Sequence, residues 1–330
     1  MTDFAVQCDN LVRTFREGQV RALDGVSLNV PSGQVFGLLG PNGSGKTTMV
    51  RILSTILKPE SGTAMVMGHD VVRHPDRVRR LIGLAGQYAT VDESLTGFEN
   101  LRMIGKLNHM ESSVVVRRSR ELLEQFGLSD AASRPTKTYS GGMRRRLDLA
   151  AALVAQPPLL FLDEPTTGLD PQSRQDLWGV IENLVEGGTT VLLTTQYLEE
   201  ADRLAKQLVV LDHGKTIAEG TPAELKAQLG TTVLALTFNS QDDATRGLEL
   251  VKDLSNVPPI VDGTIIELTV NSGPAVAADA LRRIDAANLP LAGLALREPS
   301  LDDVFLTLTG HKAEDATEAP TDDTKRKARA

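Results

Sequence analysis

The stretch Gly40-Pro41-Asn42-Gly43-Ser44-Gly45-Lys46-Thr47 decides how the rest of this chain is read. It fills the spacing G-x-x-x-x-G-K-[ST], the pattern of a loop that turns backbone N–H groups around the phosphates of a nucleotide. Gly40, Gly43 and Gly45 free the backbone to turn inward, Lys46 has the reach for β- and γ-phosphates, and the Thr47 hydroxyl suits Mg²⁺. The flanks agree with this reading. Residues 34–39 form a short apolar run typical of a buried strand, and residues from Thr48 to Leu53 open a helix whose N-terminal partial charge adds to an anion site.

A second chemical element lies far along the chain. Leu159-Leu160-Phe161-Leu162-Asp163-Glu164 reads as an apolar strand ending in two carboxylates. Ligands of open α/β sheets bind at the carboxyl ends of strands, so this pair is expected beside the phosphate loop. Asp163 then holds Mg²⁺ through water, and Glu164 orients and deprotonates an attacking water.

Composition restricts the setting. The 330 residues are 41% hydrophobic with a formal charge of -8, which suits a globular protein and argues against a generally basic nucleic-acid binder. The single cysteine, Cys8, has no internal disulfide partner and reads as a small strand residue in a reducing compartment. His69, His74, His109, His213 and His311 show no metal-ligand spacing. Neither a secretory signal nor an apolar stretch of about 18 residues is visible, so work at a membrane is expected to use a partner chain.

Residues 26–30 and 63–67 read as antiparallel strands flanking the loop, and residues 95–155 as a helical insert. The apolar runs 159–162, 191–193 and 208–211, separated by helices such as residues 174–185, read as buried parallel strands. After Gly230 a strand–helix–strand–helix–strand alternation over residues 232–296 predicts a small α+β domain, which extends to residue 310. From His311 to Ala330 the chain is polar and is expected to be a disordered, solvated tail. Trp178 reads as packing, and Arg144-Arg145-Arg146 as a basic patch near bound triphosphate.

Tyr139-Ser140-Gly141-Gly142-Met143-Arg144, at the start of a helix, offers a further anion-binding surface. With it the chain resembles the ATP-binding cassette family, whose signature is a Ser-Gly-Gly core shortly before the carboxylate strand. By that resemblance Gln87 matches the glutamine that senses Mg²⁺ and contacts the membrane subunit, Gly168-Leu169-Asp170 the loop that crosses the dimer, and Phe15 the aromatic that stacks on adenine. Where most cassettes carry a switch histidine this chain has Gln196, an amide that still hydrogen-bonds the γ-phosphate but carries no pH-sensitive charge. Gln196, Met143 and the closing segment Leu301-Asp302-Asp303-Val304-Phe305-Leu306-Thr307-Leu308-Thr309-Gly310 resemble the daunorubicin-resistance branch of exporter ATPases.

The resemblance implies a phosphate-loop NTPase fold of the cassette type over residues 1–230, a mixed sheet with an antiparallel subdomain and a helical insert, followed by the small domain. It implies catalysis by Glu164, Lys46 and Gln196, ATP held by Phe15, Gln87 and residues 40–48, and Mg²⁺ held by Thr47, Gln87 and Asp163. Two copies are expected to sandwich ATP, with Ser140, Gly141 and Gly142 of one chain capping the nucleotide of the other, on a polytopic membrane permease at the cytoplasmic face of the membrane. The cargo stays open among drugs, antibiotics and lipids. The alternatives are a cassette ATPase acting on nucleic acid or ribosomes, and a nucleotide-timed regulatory module.

Overall fold

The structure, a computed structural model, describes residues 4–15, 18–86, 91–229 and 232–309. Gln87, Gly230 and the segment from His311 onward lie outside the described residues. The chain divides into two compact units after Glu219.

In the first unit, β1 (Phe4–Phe15), β2 (Val20–Pro31), β4 (Ser61–Val66) and β5 (His69–Asp70) form an antiparallel sheet in the order β2-β1-β4-β5. Both strands expected near the loop belong to it, as parts of β2 and β4. Cys8 lies in β1, where burial pushes its thiol well above the usual range and leaves it a packing group.

The second sheet has the order β10-β9-β3-β8-β7-β6, from β3 (Val35–Leu39), β6 (Ile82–Ala85), β7 (Leu159–Asp163), β8 (Thr190–Thr195), β9 (Gln207–Asp212) and β10 (Lys215–Gly220). β6, β7, β8, β3 and β9 run parallel. Every residue of β3, β7 and β8 is buried, which is why these strands read as unbroken apolar runs. Alternate residues still separate: Leu160, Leu162, Val191 and Leu193 join one core, and Leu159, Phe161 and Leu192 the other. Each such side chain contributes about 1.5–3 kcal/mol by burial.

Three helices make the insert: α3 (Gly97–Leu107), α4 (Ser112–Gln125) and α5 (Gly141–Ala152). A capping box fixes the start of α3, where Thr96 accepts from the Glu99 N–H and Glu99 reaches back to the Thr96 N–H. α1 (Lys46–Leu53), α2 (Pro75–Leu81), α6 (Pro171–Glu186) and α7 (Leu198–Leu204) complete the helices of the unit.

The second unit is a sheet of order β12-β13-β11-β14 with helices. Its strands β11 (Thr232–Phe238), β12 (Ile260–Asp262), β13 (Ile265–Val270) and β14 (Leu291–Arg297) all pair antiparallel. α9 (Gln241–Val251) and α10 (Gly273–Ala286) bury Ala244, Val251, Ala277, Ala280 and Ile284 against Leu234, Leu236, Ile266 and Leu268. α8 (Pro222–Leu229) packs on α11 (Leu301–Thr309), so it belongs to this unit although it precedes Gly230. Among the described residues no helix is long and apolar enough to cross a membrane.

Candidate active site

β3 ends at Leu39, the loop turns over residues 40–45, and α1 begins at Lys46. Gly45 stands at the N-cap without a side-chain cap, so the first N–H groups of α1 open into the loop. Lys46 is buried. Its Nζ donates to the carbonyls of Gly40 (2.7 Å) and Pro41 (3.0 Å) and lies 3.3 Å from Glu164 Oε1. Burial lowers the Lys46 pKa, opposed by the carboxylates of Glu164 and Asp163. The Ser44 hydroxyl is buried without a hydrogen-bond partner among the described residues, and Asn42 and Gly43 are exposed above it. Thr47 Oγ1 donates to Asp163 Oδ1 at 3.3 Å, with Thr48 half-buried behind it.

β7 delivers Asp163 and Glu164 to this loop, both buried. Thr194, near the end of β8, organises the pair. Its hydroxyl donates to Asp163 Oδ1 at 2.6 Å, and its carbonyl and hydroxyl oxygens both accept from the Glu164 N–H at 3.1 Å. Glu164 sits at φ +51, a left-handed conformation that costs a non-glycine residue about 1–2 kcal/mol. Its carbonyl is held from the other side by Arg145 on α5.

Tyr139 is buried and donates to the Ala131 carbonyl at 2.7 Å, anchoring the entry to α5. Ser140 is the N-cap of α5: its hydroxyl accepts from the Met143 N–H, with Gly141 exposed and Gly142 half-buried beside it. Asp170 caps α6 in the same way, accepting from the N–H of Ser173 (2.9 Å) and its hydroxyl (2.7 Å), and these bonds lower its pKa. Gln196 is half-buried in the turn between β8 and α7. Phe15 closes β1 with the Arg13 guanidinium 5.1 Å from its ring centroid.

Comparison with known proteins places this arrangement. The sequence model described as "ABC transporter" matches residues 23–167, and that described as "ATP-binding protein DrrA1-3-like, C-terminal domain" matches residues 220–309. The chain is 49% identical over 312 residues to the daunorubicin/doxorubicin resistance ATP-binding protein DrrA of Streptomyces peucetius, covering 94% of each chain. The chain belongs to the ABC transporter ATP-binding subunits, in their daunorubicin-resistance branch. It is also 46% identical to the doxorubicin resistance ATP-binding protein DrrA of Mycobacterium tuberculosis, over 96% of both chains. Its fold is similar to a dimeric, post-hydrolysis ATP-binding cassette bound to ADP and Pi, with a TM-score of 0.61 and 27% identity over 66% of this chain and 98% of that one.

The cassette corrects or extends the sequence reading at three places. Arg144-Arg145-Arg146 is not a patch. Arg144 pairs with Glu93 at 3.0 Å, Arg146 donates to the Phe126 carbonyl at 3.1 Å, and Arg145 turns inward to four backbone carbonyls. Trp178 packs as expected, but it also donates from Nε1 to Glu200 Oε1 at 2.9 Å, with the Arg203 guanidinium 5.1 Å from its ring centroid.

Glu200 is fully buried on α7, and Thr195, Thr166 and Arg174 act on the same carboxylate. Burial raises its pKa, only partly opposed by the neighbouring Thr195 and Thr166 hydroxyls, the Trp178 hydrogen bond and the Arg174 charge. A carboxyl whose folded pKa is raised contributes full stability below the unfolded value and loses it as pH climbs through the folded one. Glu200→Gln keeps an acceptor for Trp178 without that loss. The variant is expected to melt above the wild type at pH 8, by about 2–4 °C for each kcal/mol recovered, with the gap closing towards pH 4. A gap that does not change with pH contradicts this account.

Proposed function

We propose that this cassette binds and hydrolyses Mg–ATP as a homodimer and so energises export through a separate membrane permease, on which it sits peripherally at the cytoplasmic face. The observation that carries the reading is the meeting of Lys46 and Thr47 with Asp163 and Glu164 at a glycine loop whose tip, Asn42 and Gly43, is exposed. The orphaned Ser44 hydroxyl and the uncapped start of α1 fit a phosphate group, and the paired oxygens of Thr47 and Asp163 fit a hard divalent cation. Held by Thr47 and Asp163, magnesium would supply charge neutralisation at the phosphates.

The remaining roles belong to the chain. Lys46 exchanges the carbonyls of Gly40 and Pro41 for phosphate oxygens, which frees Glu164 to orient and deprotonate water. Gln196 contacts the γ-phosphate as an uncharged amide, and Gln87 meets the cation and the permease. Phe15 stacks on the base, with Arg13 behind the ring. Ser140, Gly141 and Gly142 cap the nucleotide of the second copy, with Asp170 at the same junction. Export of a drug or antibiotic is supported by the names of the relatives.

Light scattering tests the assembly. The purified chain is expected to double in mass with Mg²⁺ and a non-hydrolysable ATP analogue, and to co-purify with a polytopic membrane protein. A chain that stays monomeric when saturated, or that purifies with ribosomes instead, defeats the reading.

A further inference from the structure

Arg145 lies in the second turn of α5, about 7 Å along the helix axis from the Ser140 cap. From there its guanidinium donates to three consecutive carbonyls of the turn that leaves β7. Nε reaches Pro165 at 2.6 Å, and Nη2 reaches Glu164 at 2.8 Å and Asp163 at 3.3 Å. Nη1 donates to the carbonyl of Gly86, just past the end of β6. Asp148, one turn further along α5 and buried, lies 3.7 Å from Nη1. The ion pair with Asp148 is carried by one helix, while the carboxylate turn hydrogen-bonds the guanidinium through its backbone carbonyls and the carboxylates of Asp163, Glu164 and Glu200 add a longer-range attraction. Moving α5 away breaks three hydrogen bonds and separates Arg145 from those carboxylates unless the turn follows, and a fourth hydrogen bond, to Gly86, ties the same guanidinium to the end of β6.

A planar guanidinium spreads five N–H groups over three nitrogens in a fixed fork, so it spans carbonyls on two segments that the three donors of a lysine ammonium, all on one nitrogen, do not reach together. The turn that it grips includes the left-handed Glu164, whose N–H is already fixed by Thr194. A cleft of about 280 Å³ lined by Gly141, Arg144, Arg145, Asp148, Glu164 and Gly168 runs alongside, so the start of α5 and the carboxylate turn share one wall.

We infer that Arg145 is a positioning residue that makes α5 and the carboxylate turn of the same chain move as one body, so that capping the partner's nucleotide sets Glu164 in the chain's own site. The inference rests on the homodimer reading above. It makes the two nucleotide sites of a dimer cooperative, because the helix that closes on one ATP carries the base for the other.

The test uses the full chain and two variants. Arg145→Lys keeps a cation beside Asp148 but not the fork. Arg145→Met with Asp148→Leu removes both charges together, which avoids an orphaned buried ion and guards against a failure to fold. Mg–ATP affinity, kcat, the Hill coefficient for ATP and Tm are measured for each. The wild type is expected to show a Hill coefficient above one. Both variants are expected to bind Mg–ATP within about twofold of it, to lose about 10²-fold in kcat, and to fall to a Hill coefficient near one.

Wild-type kcat and Hill coefficient in either folded variant overturn the inference. So does a kcat loss with cooperativity retained, which is the mark of a purely structural role. A wild type that dimerises on Mg–ATP with a Hill coefficient of one defeats the coupling and leaves the homodimer reading standing. A wild type that never dimerises defeats that reading, and the coupling falls with it.

Discussion

Glu164→Gln is expected to bind Mg–ATP nearly as well as the wild type while turnover falls by about 10²–10⁴-fold, and to accumulate as a nucleotide-bound dimer. The substitution is close to isosteric in a site where the side chain is buried, so its effect on the fold is small. The backbone N–H bonds to Thr194 and the carbonyl bond to Arg145 do not depend on the side chain, and they keep residue 164 in place. What is lost is a carboxylate oxygen and the charge that faces Lys46 at 3.3 Å. Phosphate is proposed to take over that lysine, so the missing ion pair is expected to cost little once nucleotide is bound, whereas loss of the proposed base is expected to affect every turnover. Steady-state phosphate release together with size-exclusion chromatography in Mg–ATP reads both halves. Near-normal hydrolysis removes Glu164 as the base, and loss of nucleotide binding instead of turnover assigns it to affinity.

The parts of this site visible in the sequence are those in which residue type and order alone carry the chemistry. Strands β3, β7 and β8 are buried on both faces, so their apolar runs announce them, and the loop and carboxylates sit at their ends. Arg145 is hidden for a geometric reason. Three consecutive arginines on a helix point about 100° apart, so they find partners as different as Glu93, the β7 turn and Phe126, while the bare sequence reads as one basic run. Glu200 is hidden because a carboxylate on a short amphipathic helix is usually solvated, and only the packing of Trp178 across from it reveals the buried pair.

The second unit was legible as an alternation of β11, α9, β13, α10 and β14, but β12 and α11 were not. β12 is only three residues long, and α11 owes its position to long-range partners. Asp303 accepts from Ser300 and pairs with Arg297 at 2.6 Å, which in turn reaches Glu267 on β13. The start of the unit is misread for the same reason, since α8 joins it by packing on α11, far away in sequence.

Two glycines that the loop motif does not rank are expected to fail in different ways. Gly45 has φ +114, and a Cβ there would lie 2.4 Å from the carbonyl oxygen of Ala22 and 2.9 Å from Leu23 Cδ2, both on β2. Ala22 sits at an irregularity of the β1–β2 pairing, but its neighbours Arg21 and Leu23 are both in register with β1 and hold the backbone in place, so Gly45→Ala adds overpacking to left-handed strain, roughly 3–5 kcal/mol against a total stability of about 5–15 kcal/mol. Urea titration of the nucleotide-free protein is expected to show that loss directly. Gly43 has φ +82 and open space around its Cβ position, so Gly43→Ala pays strain alone, about 1–2 kcal/mol.

The order reverses in the response to nucleotide. A methyl on Gly43 stands in the open mouth of the loop where phosphate is proposed to lie, and it is expected to abolish the stabilisation of about 2.7 kcal/mol that ligand at a hundred times its Kd confers. Gly43→Ala should therefore fold and stop responding to Mg–ATP. If it responds as the wild type does, the phosphates do not approach the backbone at Gly43. If Gly45→Ala is as stable as the wild type, the contact between loop and β2 does not hold the loop in shape, and its conformation must be fixed from the α1 side.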